Sequence, residues 1–339
     1  MCGHACRHNL FRDKSMHLGI IGTNFISDML VEAAKRVDGI SPCAVYSRRD
    51  DTGRTFANKY DGMTVFTDLQ SFLDSDIDAV YVASPSFLHK EHTLCALRSG
   101  KHVLCEKMMA LRYSDGIEMV KTARESGCIL LEAMRPIHDP AFSVIRDNLD
   151  KIGRIRRVHF EYCQYSSRYD RFKQGTVLNA FDPTIGNSAL ADIGIYPLQM
   201  CIGLFGAPNT VCASSLLLSN GFEGMGEIAL GYTDMHSSIT YSKITEGTRP
   251  SVIEGEDGTI TVSKLNEVAT VTLLRRGEDP VILKNSGQGQ SNMHYELAHF
   301  RDMTLGKMQN DAYLDISLNS LAVVDEVYRQ TGIDSEFLL

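Results

Sequence analysis

"HLGIIGTNFISD", residues 17–28, is the stretch whose reading decides the fold. A short apolar run ends in a glycine and passes at once into residues with helical spacing: Phe25, Ile26, Met29, Leu30, Ala33, Ala34 and Val37 share one face. A strand, a tight turn and a helix in that order open a dinucleotide-binding βαβ unit, in which the helix N-terminus receives a phosphate. The usual G-x-G-x-x-G/A pattern is incomplete, its three positions being Gly22, Asn24 and Ser27. Asn is the non-glycine residue most tolerant of positive φ, and Ser is small enough for close helix packing. The stretch therefore reads as a one-glycine phosphate loop with Asn24 left-handed. Its expected cofactor contacts are Gly22, Thr23, Asn24, Phe25 and Ile26.

Working outward, "LGII", "ISPCAVYS", "MTVF", "DAVYVAS", "KHVLCE" and "CILLEAM" alternate with amphipathic stretches. That rhythm predicts an α/β fold whose N-terminal half is a doubly wound parallel Rossmann sheet. One of the intervening helices, "SDGIEMVKTARESG", has Ser114 as its expected N-cap and Gly127 as its stop. The prolines of "RPIHDPAF", residues 135–142, break the rhythm. Beyond them "RIRRVHFEYCQY", "TVCASSLLL", "GEIALGYT", "SSITYS", "RPSVIEG", "GTITVS", "VATVTLL" and "PVILK" follow one another with one long helical segment, about 187–205, after the first. Such a run predicts a C-terminal α+β domain with a large mixed or antiparallel sheet. Two helices, about 293–305 and 315–330, close the chain. The expected domains are 17–138 for the dinucleotide and 139–310 for substrate and oligomerisation, with a C-terminal helix in 311–339.

Of 339 residues, 43% are apolar and 22% charged, the net charge is −8, and no apolar run is long enough for a membrane span. No basic cluster marks a nucleic-acid surface. Nine scattered cysteines, several inside apolar runs, read as reduced buried thiols and point to a cytoplasmic protein. Residues 1–16 carry Cys2, His4, Cys6 and His8, superficially a metal set, but read more economically as a disordered or misassigned leader. His89, His92 and His102 fall in separate elements and read as structural or surface histidines; no metal is expected.

The end of the second strand chooses the dinucleotide. An acid there accepts a ribose 2′-hydroxyl, whereas Arg accommodates a 2′-phosphate. Here Ser47, Arg48 and Arg49 stand before the first acid, Asp50. NADP is favoured over NAD, with Ser47 and Arg48 as the phosphate donors. The missing acid also argues against an S-adenosylmethionine methyltransferase.

Four segments in order, "LGIIGTNFIS", "VASPSFLHKEHTLCALRSGKHVLCEK", "GNSALADIGIYPL" and the strand-rich second half, resemble the Gfo/Idh/MocA oxidoreductases, the group of glucose-fructose oxidoreductase and inositol dehydrogenase. With Tyr in place of His, "ADIGIYPL" looks most like the dihydrodiol and xylose dehydrogenase branch. The resemblance implies that Ser84, Pro85 and His89 line the nicotinamide-ribose side. The family's E-K-P stands as Glu106, Lys107 and Met108, so a turn that relatives fix with proline is expected to be held here by packing. The Asp-x-Gly-x-Tyr set is Asp192, Gly194 and Tyr196, on a helix where i and i+4 share a face and where Pro197 is expected to kink the chain.

The resemblance implies hydride transfer between a nicotinamide and a CH–OH group of a sugar, polyol or dihydrodiol. A proton must move at the same oxygen, so an acid-base group has to reach it. Lys107 and Tyr196 are the candidates; an ammonium beside a phenol favours the phenolate. Asp192 is expected to orient Lys107 or substrate hydroxyls. Arg135 and His138 either contact substrate or pin the linker. The family usually forms dimers or tetramers, and the large second-domain sheet offers a flat face for pairing, so a homodimer or homotetramer through that sheet is expected. The rival class is a non-catalytic dinucleotide sensor of the same fold, for which a retained Lys107, Asp192 and Tyr196 would have no chemical use.

Overall fold

A computed structural model describes residues 15–286 and 291–333. Of the expected leader only Ser15 and Met16 are described, and Met16 already belongs to the first strand; Cys2, His4, Cys6 and His8 lie outside the described residues. The chain forms two compact units, one running to Ala133 and taking up Met293–Asp315, the other made of Met134–Asn292 and the chain from Ile316.

The first unit holds β1 (Met16–Ile21), α1 (Phe25–Ala34), β2 (Ile40–Tyr46), α2 (Asp50–Ala57), β3 (Thr64–Phe66), α3 (Leu69–Leu73), β4 (Ala79–Val82), α4 (His89–Arg98), β5 (His102–Glu106), α5 (Tyr113–Ser126) and β6 (Leu130–Ala133). All neighbours in its sheet are parallel, in the order β3-β2-β1-β4-β5-β6. Every residue of β4 is buried, as expected for a parallel strand covered on both faces. The crossover from β1 leads to β2 on one side, and the crossover from β3 brings the chain to β4 on the other, which opens a crevice at the carboxyl ends of β1 and β4.

The buried face of α1 is Ser27, Leu30, Val31, Ala33 and Ala34. Phe25, expected on that face, is 66% exposed because a first-turn side chain leans back toward the helix N-terminus, beyond the sheet. Helix α5 starts at Tyr113 after Arg112, so Ser114 is not its cap, whereas Gly127 stops it at φ 65° as expected.

The second unit contains α6 (Arg135–His138), α7 (Pro140–Arg146), β7 (Ile155–Cys163), α8 (Tyr169–Lys173), α9 (Ile195–Phe205), β8 (Thr210–Leu217), β9 (Glu223–Gly231), β10 (His236–Ser242), β11 (Ser251–Gly255), β12 (Gly258–Val262), β13 (Thr270–Arg275) and β14 (Val281–Asn285). The sheet is mixed: its order is β14-β13-β12-β11-β7-β10-β9-β8, and only β7 and β10 pair in parallel. Alternation buries Val158, Phe160, Ile239, Tyr241, Ile253 and Ile260 on the face that α9 covers.

Helix α10 (Met293–Thr304) sits with the first unit, although its position in the sequence puts it at the end of the strand-rich second one. Its Met293, Leu297, Phe300 and Met303 pack into one core with Leu30, Val31 and Ala34. A helical stripe of four large apolar residues goes wherever an apolar face is open, whatever the chain distance. Helix α11 (Asp311–Thr331) runs from the first unit into the second.

Candidate active site

At the end of β1 the chain turns at Gly22, φ +109°. A Cβ there would lie 2.5 Å from the Ala83 carbonyl oxygen, so both the backbone angle and the close approach to β4 require glycine. Asn24 does not take the left-handed role expected of it. It is extended, φ −84° and ψ 178°, and serves as the N-cap of α1. Its Oδ1 accepts from the N–H of Ile26 at 3.0 Å and of Ser27 at 3.4 Å, while its Nδ2 donates to Ala83 O at 3.1 Å. Asn therefore does what a second glycine cannot: it satisfies the helix start and ties the loop to β4. Ser27, fully buried, donates to Gly22 O at 3.0 Å, which closes the loop on itself. Among the described residues the N–H groups of Thr23, Asn24 and Phe25 meet no protein acceptor, and these remain for an anion at the helix start.

After β2, Ser47 Oγ lies 2.7 Å from Thr52 Oγ1 at the start of α2. The two arginines part company here. Arg49 is held by Asp51, through Nε at 3.0 Å, whereas the exposed Arg48 forms no ion pair among the described residues. A loop that offers hydroxyls and an uncommitted guanidinium, with its nearest acid already occupied, suits a 2′-phosphate better than a 2′-hydroxyl.

The loops after β4 and β5 are built together by histidines of α4. His89 is buried, with Nδ1 2.8 Å from Met108 O and Nε2 2.9 Å from Ser84 O. Burial pulls its pKa down to about 4 against the pull of the two carbonyls, so the ring is neutral and donates to one of them. His92, one turn away, reaches Ser84 Oγ at 2.9 Å. His102 is buried too and accepts from Ile129 N–H at 2.9 Å, so all three histidines are structural and none is at the surface. Among the described residues no His, Cys, Asp or Glu cluster could hold a metal.

Glu106 is fixed by the Tyr81 hydroxyl and accepts from Lys107 N–H at 3.3 Å. The Lys107–Met108 peptide is cis, and Met108 is buried. Packing and hydrogen bonds hold this turn, as the loss of proline requires. Beside the His89 clamp on Met108, Met109 N–H donates to the buried Glu132 at 2.8 Å. Lys107 is thus displayed from a rigid turn at the carboxyl end of β5. Glu132 escaped the sequence reading, although an acid inside the apolar run "CILLEAM" is the signal of a buried acceptor.

In the second unit Asp192 lies in a π-helical turn, Leu190–Gly194, and Tyr196 at the start of α9. The irregularity expected of Pro197 is present, but upstream of it. Pro197 withdraws a backbone donor from the first turn of α9, and the hydrogen-bond ladder slips by one residue in the turn before. Glycine 194 has ordinary helical angles, φ −66°, and is there for space: a Cβ would lie 2.7 Å from Cγ of the buried Tyr241 ring. Beneath the turn, Glu223 accepts from Leu190 N–H at 2.8 Å and from the Tyr241 hydroxyl at 2.8 Å, and burial pushes its carboxyl pKa up.

Tyr196 is flanked by Arg135, whose Nη2 lies 3.4 Å from the phenol oxygen, and its ring meets that of Tyr162 edge-on at 5.7 Å. Arg135 also pairs with Glu267 at 3.4 Å. It therefore holds a candidate site residue, while His138 is buried in α6. Asp192 takes its cation from Lys243, Nζ to Oδ2 2.8 Å. Lys243 was not foreseen either, yet Ile239 and Tyr241 point inward, and strand alternation puts a lysine at the next inward position.

A family model described as "Oxidoreductase family, NAD-binding Rossmann fold" matches residues 16–134, and one described as "GFO/IDH/MocA C-terminal domain" matches residues 147–261. The chain is 38% identical to scyllo-inositol 2-dehydrogenase (NADP(+)) IolU of Bacillus subtilis, over 94% of this chain and 98% of that one. It is 25% identical to a trans-1,2-dihydrobenzene-1,2-diol dehydrogenase of Xenopus laevis, over 93% and 98%. In fold it is similar to KijD10, a 3-ketoreductase of Actinomadura kijaniata solved with NADP and TDP-benzene, with a TM-score of 0.83 and 23% identity over 94% of this chain and 98% of that one.

Proposed function

Because the chain belongs to the GFO/IDH/MocA oxidoreductase family, we propose that it is an NADP-dependent dehydrogenase or reductase acting on a CH–OH group of a cyclic polyol or sugar, inositols first. The observation that carries this is the phosphate loop. A capped helix start with three open N–H groups, tied to β4 through Asn24, and an uncommitted Arg48 after β2 match the two phosphate-bearing parts of NADP. The 38% identity to an NADP-dependent inositol dehydrogenase along nearly the whole chain supports the substrate class.

NADP would be held by Gly22, Thr23, Asn24, Phe25, Ile26, Ser47, Arg48, Ser84, Pro85, Glu106 and Lys107, and would supply the hydride chemistry, while His89, expected beside the nicotinamide ribose, is buried with both ring nitrogens on backbone carbonyls and instead fixes the Ser84 and Met108 loops from beneath. The protein's own part is the proton. Lys107, displayed from the clamped turn, gives it to or takes it from the substrate oxygen. Tyr196, with Arg135 beside its hydroxyl, is the second group able to carry it. Asp192, charged and paired with Lys243, accepts from a neighbouring substrate hydroxyl. The free cysteines among the described residues fit a cytoplasmic enzyme, and exposed apolar residues on the large sheet, Leu216 and Ile282 among them, fit a homodimer or homotetramer.

The test is a panel of scyllo- and myo-inositol, D-xylose, D-glucose and a trans-dihydrodiol with NADP and NAD, read by absorbance of the reduced nicotinamide. Turnover with NADP in clear excess over NAD is expected. Silence across the panel with NADPH still tightly bound would instead make the protein a sensor.

A further inference from the structure

The Lys243 side chain is only 5% exposed, whereas that of Asp192, its partner at 2.8 Å, is 44% exposed. The pair is lopsided, with the cation sunk in the protein and the anion open. The ammonium is provided for on its other sides: it donates to Ala180 O at 2.6 Å and lies 4.9 Å from the Phe181 ring centroid and 5.1 Å from that of Phe222.

A buried ion pair is a poor device for stability alone, since desolvation offsets the attraction and apolar residues of similar volume often serve as well. What this arrangement does, and a methionine could not, is hold an open carboxylate in one orientation. The anchorage is rigid. Lys243 N–H donates to Gly224 O at 2.9 Å, next to Glu223, which in turn fixes Leu190 at the head of the π-helical turn.

We propose that Lys243 is a positioning residue for the reaction, acting through Asp192: it fixes the carboxylate that receives a substrate hydroxyl. The inference rests on the functional reading above, in which Asp192 touches substrate.

The experiment is a double-mutant cycle on kcat/KM with NADP and the polyol or sugar of the panel that the parent enzyme turns over fastest, using K243M, D192N and both together. K243M alone is expected to lower kcat/KM at least tenfold, with NADPH affinity unchanged because Lys243 belongs to the other unit. In the D192N background the same substitution is expected to change it less than twofold. A merely structural lysine would lower both backgrounds by the same factor, and that result overturns the proposal, as does an unaffected K243M. K243Q, which keeps a donor for Ala180, runs through the same cycle should K243M fold poorly. A D192N whose kcat/KM stays within twofold of the parent's, or a parent silent on the whole panel, sinks the functional reading itself and is told apart from failure of the Lys243 role by that single measurement.

Discussion

Gly194→Ala tests whether the turn carrying Asp192 is held by steric fit. The added Cβ would stand 2.7 Å and 2.9 Å from two atoms of the Tyr241 ring and 3.0 Å from a Leu190 methyl carbon. Carbon pairs settle at about 3.5–4.0 Å, so three contacts are violated at once. The ring has little freedom, being fully buried with its hydroxyl on Glu223. Over-packing of this kind costs roughly 1–3 kcal/mol, and three short contacts against a tethered ring place it near the upper end. Alanine recovers about 1 kcal/mol of helix propensity, leaving a net loss of about 1–2 kcal/mol. For a domain of this size that is a fall in Tm of roughly 2–8 °C by calorimetry. Activity should fall further than stability, at least tenfold in kcat/KM with NADPH affinity unchanged, because Asp192 is two residues from the point of collision. A variant with unchanged or raised Tm and kcat/KM within twofold of the parent would refute the reasoning, since the ring would then have moved aside freely.

Lys107→Met should lower turnover by about 100 to 10,000-fold while leaving NADPH binding near normal, measured by steady-state kinetics and fluorescence titration. Asn24→Ala removes a cap and should cost about 0.5–2 kcal/mol in a denaturant titration, with weaker NADPH binding. Asn24→Gly, which would tighten binding if residue 24 were a strained left-handed residue, should not do so, because that residue is extended. His89, with a folded pKa of about 4 against 6.5 when unfolded, binds its proton more readily in the unfolded chain. Its contribution to stability is therefore present above pH 6.5 and lost as pH falls toward 4, on the order of 3 kcal/mol. An acid titration of His89→Asn that followed the parent's stability curve through that window would count against this.

Much of the molecule was readable in the chain because its signals are local. Alternation and helical spacing depend on neighbours, so the strands and main helices of both units follow from them, as does the αL glycine at 127. The candidate site was readable where it is linear, in the loops around Gly22, Ser84, Lys107 and Asp192. What it lacked were partners distant in sequence. Residue 24 was assigned by its tolerance of left-handed angles, but its role depends on the carbonyl of Ala83, 59 residues away. The cation of Asp192 comes from Lys243 at the end of β10, and the acceptor for Met109 from Glu132 in β6. Pro197 announced a break in the helix but not its location, because the slip occurs in the turn before the one whose donor is missing.

The place of α10 has a consequence for how the protein comes into being. The ribosome releases the whole parallel sheet early, yet the core that holds Leu30, Val31 and Ala34 lacks Met293, Leu297, Phe300 and Met303 until α10 has been made. At about 5–20 residues per second, that interval is roughly 10–30 s. The nascent first unit must wait with this core incomplete while the second is translated. A polypeptide released near residue 134 would carry every dinucleotide contact proposed above and still lack the piece that seals its core.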